Sequence, residues 1–275
     1  MADNARALIE RVQVKPGEKI KLKERDPRDG SMFANQDETK AATAALAKDI
    51  DALQDRLYSE GAARALLVIL QGTDTSGKDG TIRSVFNATG PLGVSVTAFG
   101  PPTRTELAHD YLWRVHAACP RRGTIGIFNR SHYEDVLIGK VRKFAPEEAI
   151  EQRYEQINAF ERLLSENGTK VLKFMLHISK DEQKERLQQR LADPKKHWKF
   201  NPGDLDDRQM WAEYQEAYET MLHRCSTPWA PWHVVPADRK WVRNAVIAAI
   251  VKQTLEDMDP QYPQVSWKPD AFTIS

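Results

Sequence analysis

Cysteine is scarce in this chain: Cys119 and Cys225 are the only two in 275 residues, and they form no CxxC pair. A disulfide framework is therefore excluded, and both thiols read as inert packing residues in a reducing compartment. Long apolar runs are missing too, since no window approaches the ~18 residues of a membrane span. The opening MADNARALIERVQVKPGEKI carries acidic residues and no apolar run, so it does not read as a secretory leader. Nor is there an excess of one charge. Forty basic and 39 acidic residues leave a net charge of +1, so any anion site must be a local cluster. His109, His116, His177, His223 and His233 show no metal-ligand spacing, which argues against zinc. A GxSxG elbow and a Ser/His/Asp grouping are absent. These absences lead us to expect a cytoplasmic protein that binds neither membrane nor nucleic acid.

What is present is an alternation of strand-like and helix-like segments. Residues 13–35 are polar and hold Pro16, Gly17, Pro27 and Gly30; with the preceding residues they read as an extended N-terminal arm, 1–35. From Gln36 to Glu60, Ala41, Ala45, Leu46, Ile50, Leu53 and Leu57 recur at helical spacing. The run ARALLVILQG, 63–72, is continuous and apolar, as a buried parallel strand is. Further strands are expected over 93–99, 123–129, 169–178 and 232–237. Helices are expected over 105–118, from near Ser131, over 146–166, over 179–193, near 205–223 and over 239–257. Ser179 reads as an N-cap with Glu182 at the capping-box position. The pattern predicts an α/β fold, a doubly wound parallel sheet. One domain is expected over 36–260, then a proline-rich tail, 261–275.

The strand at 63–72 runs into GTDTSGKDG, Gly72 to Gly80. Gly72, Gly77 and Lys78 match the P-loop pattern G-x-x-x-x-G-K-[ST], but Asp79 replaces the final hydroxyl residue and Asp74 lies inside the loop. Between a strand and a helix, the loop's backbone amides form an anion site. Lys78 is expected to face solvent and reach phosphate. Asp79 and Arg83 are spaced i, i+4 on one helix face, and Arg83 suits bidentate contact with a phosphate. The alternative is an ordinary helix ion pair.

IGIFNRSHYEDVL, Ile125 to Leu137, stands where a Walker B strand belongs, but Asn129 occupies the position of the usual metal-binding aspartate. Arg130, Glu134 and Asp135 follow it. Asp74 and Asp79 are then candidate metal ligands, because Mg²⁺ takes one or two carboxylates and completes its shell with phosphate and water. Helix-terminus charge is the plainer role for Glu134 and Asp135. RLADPKKHWKFNPGD, Arg190 to Asp204, gathers Lys195, Lys196, His197 and Lys199 around Trp198, with Arg186 a turn before Arg190. Such a loop suits a mobile lid over about 186–204 that excludes water from phosphoryl transfer; a solvated face is the alternative.

The ordered set GTDTSGKDG, FGPPTRTELAHDYLWRVH, GIFNRSHYEDVL and the basic lid resembles the polyphosphate kinase 2 family over roughly residues 30 to 260. The resemblance makes Asp74 and Asp79 family features. It implies a P-loop kinase fold similar to thymidylate kinase, with a helical lid. The activity implied is phosphoryl transfer between inorganic polyphosphate and nucleoside mono- or diphosphates, with Mg²⁺ (or Mn²⁺) as cofactor, in a homo-oligomer, dimer or tetramer. FNRSHYEDVL is similar to the third class, associated with AMP and ADP. Catalytic roles then fall to Asp74, Lys78, Asp79, Arg83 and Arg130, and metal binding to Asp74 and Asp79. Substrate contacts fall to Gly72, Thr75, Gly77, Gly80, Asn129, Glu134, Arg186, Arg190, Lys195, Lys196 and Lys199. Two rivals stay open: an ATP-dependent nucleotide kinase of the same fold, and a binding regulator without turnover. Intact Lys78, Asp74 and Asp79 argue against the second.

Overall fold

The apolar run before the P-loop becomes the central strand because every side chain from Ala65 to Gln71 is buried. In a computed structural model describing residues 2–61, 64–268 and 271, five strands form one parallel sheet. They are β1 (Ala65–Gln71), β2 (Val94–Ala98), β3 (Ile125–Asn129), β4 (Thr169–His177) and β5 (Trp232–Pro236), in the order β2–β3–β1–β4–β5. Alternate β1 residues serve opposite faces, as the two-residue period of a strand requires. Leu66, Val68 and Leu70 enter one apolar cluster, Leu67 and Ile69 the other.

The helices are α1 (Ala2–Val12), α2 (Gln36–Glu60), α3 (Lys78–Val85), α4 (Arg104–Leu107), α5 (Trp113–Ala117) and α6 (Ile138–Val141). They continue with α7 (Glu147–Glu166), α8 (Lys180–Ala192), α9 (Gly203–Gln209), α10 (Trp211–Cys225) and α11 (Lys240–Met258). Helices α1, α3 and α11 feed the first cluster with Leu8, Val85 and Val246, while α7 and α10 feed the second with Ile157 and Met221. Helices on both faces of a parallel sheet make the doubly wound architecture. Helix α2 has the span that its periodicity predicts. Asn35 caps it by accepting from the Glu38 amide, and Gly61 closes it in the left-handed region.

Several local expectations need correction. The N-terminal arm is not extended throughout: Ala5, Leu8 and Val12 recur at helical spacing, and α1 buries them. Beyond it, Val14, Ile20 and Leu22 are also buried, so this part of the arm belongs to the core. The helix expected over 105–118 is two short ones, because Asp110 accepts from the Leu112 amide and turns the chain between them. The helix near 205–223 is broken at Met210 into α9 and α10. Ser179 caps α8, but Glu182 does not close the box: it pairs with Arg186, and Asp238 takes the Ser179 amide. The end of the tail, 269–270 and 272–275, lies outside the described residues.

Candidate active site

Register decides which loops meet. Leu70 lies opposite Asn129 in the β1–β3 ladder, so the turn after β1 and the turn after β3 emerge side by side at the carboxyl edge of the sheet. Open α/β sheets place ligands at that edge. Between those turns and the segment after α8 lies a cleft of about 730 Å³.

The first wall is the loop Gly72–Gly80. Gly72 has φ +150°, and a Cβ there would come within 2.7 Å of the Leu176 carbonyl. Gly77 has φ +101°, and its Cβ would collide with the Arg243 guanidinium. Thr75 takes φ +66° without being glycine, a strained geometry of the kind held at functional sites. The loop is tied from within. Arg186, buried on α8, donates from Nη1 to the carbonyls of Thr75 and Ser76 at 2.9 and 3.2 Å, and Arg243 donates to Ser76 at 3.1 Å.

Lys78 does not face solvent, contrary to the sequence expectation; it is 8% exposed. Its ammonium folds back to donate to the Gly72 carbonyl at 2.7 Å and the Thr73 carbonyl at 3.3 Å. Burial, and then the charge of Arg130, push its pKa down to about 8; Asp74, Glu134 and Asp79 oppose the shift.

The second wall follows β3. Asn129 donates to Asp79 Oδ1 at 2.8 Å, and Arg130, at φ +64°, donates to Asp74 Oδ1 at 2.5 Å. Ser131 caps a short 3₁₀ helix, His132–Val136. Burial raises the pKa of Glu134 against the charges of Arg130 and Lys78. Beneath this turn lies a fully buried group. Lys173 donates to Glu161 at 2.6 Å and to the Tyr133 hydroxyl at 2.8 Å, and that hydroxyl donates to Glu161 at 2.7 Å. Satisfied buried networks of this type fix one geometry.

The third wall is the lid: the end of α8, a 3₁₀ helix over Pro194–Lys199, and α9. Lys199 reaches across the cleft to Asp79 Oδ2 at 2.9 Å. Burial opposes the charge on Asp79, but Lys199 and Asn129 hold its pKa below the ordinary range. Arg190 pairs with Asp204 at 3.4 Å. Burial and nearby Asp74 push Asp204 up to about 6, against Arg190.

The structure therefore brings Asp74, Thr75, Gly77, Lys78, Asp79 and Gly80 to one cleft with Arg83, Asn129, Arg130, Arg190, Lys196 and Lys199. Other expectations change. Gly72 and Glu134 do not line the cleft, nor does Lys195, which is exposed. Arg83 lines the cleft as expected and is not in the alternative helix ion pair with Asp79, whose carboxylate Lys199 takes. Arg186 has five N–H groups and five acceptors, the others being Glu182, Ala237 and Asp238, so it holds the loop and has no donor left for substrate. Sequence reasoning missed Asp204, Lys240 and Arg243, and the support from Glu161 and Lys173. The available signals were Lys173 inside the apolar strand KVLKFMLHI and Arg243 inside the apolar helix WVRNAVIAAIV.

Among the described residues no three His, Cys, Asp or Glu side chains gather to hold a metal by themselves. Asp74 and Asp79 do reach the cleft, and the buried hydroxyls of Thr73 and Thr75 lack partners. Such a hard-oxygen set fits Mg²⁺ when phosphate and water complete the shell. No described helix is long and apolar enough to cross a membrane.

Comparison with known proteins agrees with this geometry. The family model described as Polyphosphate kinase 2 (PPK2) matches residues 33–263. An AMP/ADP-polyphosphate phosphotransferase of Meiothermus ruber is 49% identical, over 93% of this chain and 96% of its own length. An ADP-polyphosphate phosphotransferase of Rhodopseudomonas palustris is 41% identical, over 78% of each chain. The crystal structure of Polyphosphate Kinase 2 from Arthrobacter aurescens TC1 superposes with a TM-score of 0.92 at 41% identity, covering 96% of this chain and 94% of that one.

Proposed function

The chain belongs to the polyphosphate kinase 2 family, and from that premise we propose that it transfers phosphoryl groups reversibly between inorganic polyphosphate and the nucleotides AMP and ADP. The observation that carries this reading is one cleft in which a tied phosphate loop and its lysine face Arg130, Asn129 and a basic lid. Phosphoryl transfer asks mainly for positioning and for charge stabilisation of the transferred group. The loop amides seat phosphate oxygens, and Lys78 and Arg130 answer the negative charge. An oxygen of the acceptor's last phosphate attacks the terminal phosphorus of the chain in line. The new P–O bond forms as the bridging P–O bond breaks, leaving polyphosphate one unit shorter. No phosphoenzyme is required. Mg²⁺, or Mn²⁺ in its place, held by Asp74 and Asp79, would neutralise charge between donor and acceptor phosphates. Activity lost to EDTA and restored by either ion checks this.

Adding ADP, polyphosphate and Mg²⁺ without ATP should yield ATP, and AMP should yield ADP and then ATP. An ATP-dependent nucleotide kinase of the same fold can make ATP here only from two ADP, with AMP as co-product and without need of polyphosphate, so ATP formation that does not depend on polyphosphate would reject the reading. The AMP half draws support from Glu134, beside Arg130 and Lys78. AMP is one phosphate shorter than ADP, and in this reading Glu134, on the turn after β3, would hold a hydrated metal that fills the gap. Glu134→Gln should alter the AMP-to-ADP preference more than total activity; equal losses would make it a helix-terminus charge only. We place the enzyme in the cytoplasm as a dimer or tetramer, which light scattering of the purified protein checks.

A further inference from the structure

The two arginines beneath the P-loop are not equivalent. Arg186 has an acceptor for each of its five N–H groups, including the carboxylate of Glu182. Arg243, 2% exposed on α11, makes only three bonds: Nη1 to the Ser76 carbonyl, and Nε and Nη2 to Asn244 Oδ1 at 3.1 and 2.9 Å. Two of its N–H groups have no acceptor among the described residues, and no carboxylate pairs with it. Burial and the adjacent charge of Arg186 push its pKa down to about 9. A buried cation without a counter-ion is costly unless an anion arrives to pair with it.

Position indicates which anion. Arg243 lines the cleft and lies so close to Gly77 and Gly80 that a Cβ on either would meet its guanidinium. Lys240, one turn earlier on α11, and Arg83 on α3, the helix packed against α11, line the cleft as well. Both are exposed, and neither forms an ion pair among the described residues. The cations across the cleft are compensated: Arg130 by Asp74, Arg190 by Asp204, Lys196 by Asp193 and Lys199 by Asp79. Besides Lys78, which is bonded to backbone, the cleft cations on α3 and α11 thus lack a carboxylate partner among the described residues, while those of the β3 turn and the lid are paired. A linear polyanion is the ligand that complements such a row.

We propose that the polyphosphate donor leaves the P-loop on the α3–α11 side, with Arg243 touching the phosphates next to the loop and Arg83 and Lys240 guiding the chain beyond. This rests on the donor proposed above, and assigns that donor a direction and a contact residue. Nucleotide and metal then lie towards the compensated pairs, and the lid spans both.

The test uses the full-length chain and the variants Arg243→Met, Arg243→Lys, Lys240→Gln and Arg83→Gln. Half-saturating concentrations are measured for tripolyphosphate, for long-chain polyphosphate and for ADP. Losing a charge-assisted contact should raise the Arg243→Met value for both donors about ten- to a hundredfold, with that for ADP within about twofold, and Arg243→Lys should recover most of it. Lys240→Gln should raise the value about two- to threefold for long chains and leave tripolyphosphate unchanged, as expected of an exposed charge. An equal rise for ADP, or a lower kcat at unchanged donor affinity, would mean that Arg243 only supports Ser76, and would overturn the proposal. If Arg243→Met does not fold, the two exposed variants decide: unchanged long-chain affinity in both overturns it. Thermal shifts with polyphosphate and no nucleotide make the test independent of turnover. A shift in wild type that is smaller in Lys240→Gln and Arg83→Gln supports the path even if the activity assay fails.

Discussion

The phosphate loop and the lid face each other across one cleft, yet they hold their charges in opposite ways. In the loop, Lys78 is buried and bonded to backbone, and Arg186 is fully coordinated below it. In the lid, Trp198 is 76% exposed and Lys195 stands in solvent. The lid's link to the loop is Lys199 to Asp79, a pair in which the carboxylate side chain is 55% exposed. A buried, preorganised donor keeps its strength because water cannot compete with it, whereas an exposed ion pair contributes only ~0–1 kcal/mol. The loop should therefore govern rate, and the lid should govern capture and exclusion of water. Each prediction below tests that division.

Lys78→Ala carries the largest expected effect. Loss of one preorganised donor to the transition state lowers kcat by about 10²–10³. Its closest bonds go to the backbone carbonyls of Gly72 and Thr73, not to core side chains, so circular dichroism should show an intact fold. Activity within a few-fold of wild type would remove the loop from the chemistry.

A pH profile separates the walls a second way. With its pKa near 8, the Lys78 ammonium in the free enzyme loses its proton as pH rises through that value. Bound phosphate favours the ammonium, so kcat/KM should fall by up to about tenfold per pH unit above ~8 while kcat persists to higher pH. Stability should move the other way. From about 8 to the ordinary lysine value of 10.5 the unfolded chain holds more protons than the folded one, so the ligand-free protein gains stability as pH rises. A Tm that falls across this window would contradict the assignment of a depressed lysine.

How much of this could be read from the sequence follows the same division. Strands and long helices were legible, because a continuous apolar run and 3.6-residue spacing are local; β1 and α2 are the clearest cases. The loop's residues were legible for the same reason, lying within nine positions, Gly72 to Gly80. What ties the loop was not. Arg186 lies 110 residues from Ser76, and Arg243 lies 167 residues away. Nothing local distinguishes an arginine that caps carbonyls from one that awaits phosphate. The composition that marked 186–204 as a lid could not tell that Arg186 bonds the loop's carbonyls, that Lys195 points away, or that Lys199 takes the Asp79 carboxylate. Those outcomes depend on how α8 and the 3₁₀ helix are set against β1, which is a tertiary matter.

The smallest effect belongs to the lid, and it sharpens the comparison most. Neutralising Lys195, Lys196 and Lys199 together should raise the half-saturating polyphosphate concentration about three- to tenfold at low salt, through lost attraction between exposed charges and a polyanion. Because the Debye length is ~10 Å at 0.1 M salt and shorter above it, the gap between variant and wild type should close as salt is added. The single changes should rank by position. Lys199→Gln should have the largest effect, since it extends across the cleft to the phosphate loop at Asp79; Lys196→Gln should have less, since its partner Asp193 lies on the lid itself; and Lys195→Gln, outside the cleft, close to none. Turnover at saturating donor should stay within about twofold, because none of the three is a buried donor to the transferred phosphate. Two results would break the division of labour. Unchanged donor affinity at low salt would reduce the lid to a solvated face. A fall in kcat comparable to that of Lys78→Ala would mean that Lys199 leaves Asp79 during the reaction and stabilises the transition state beside Lys78.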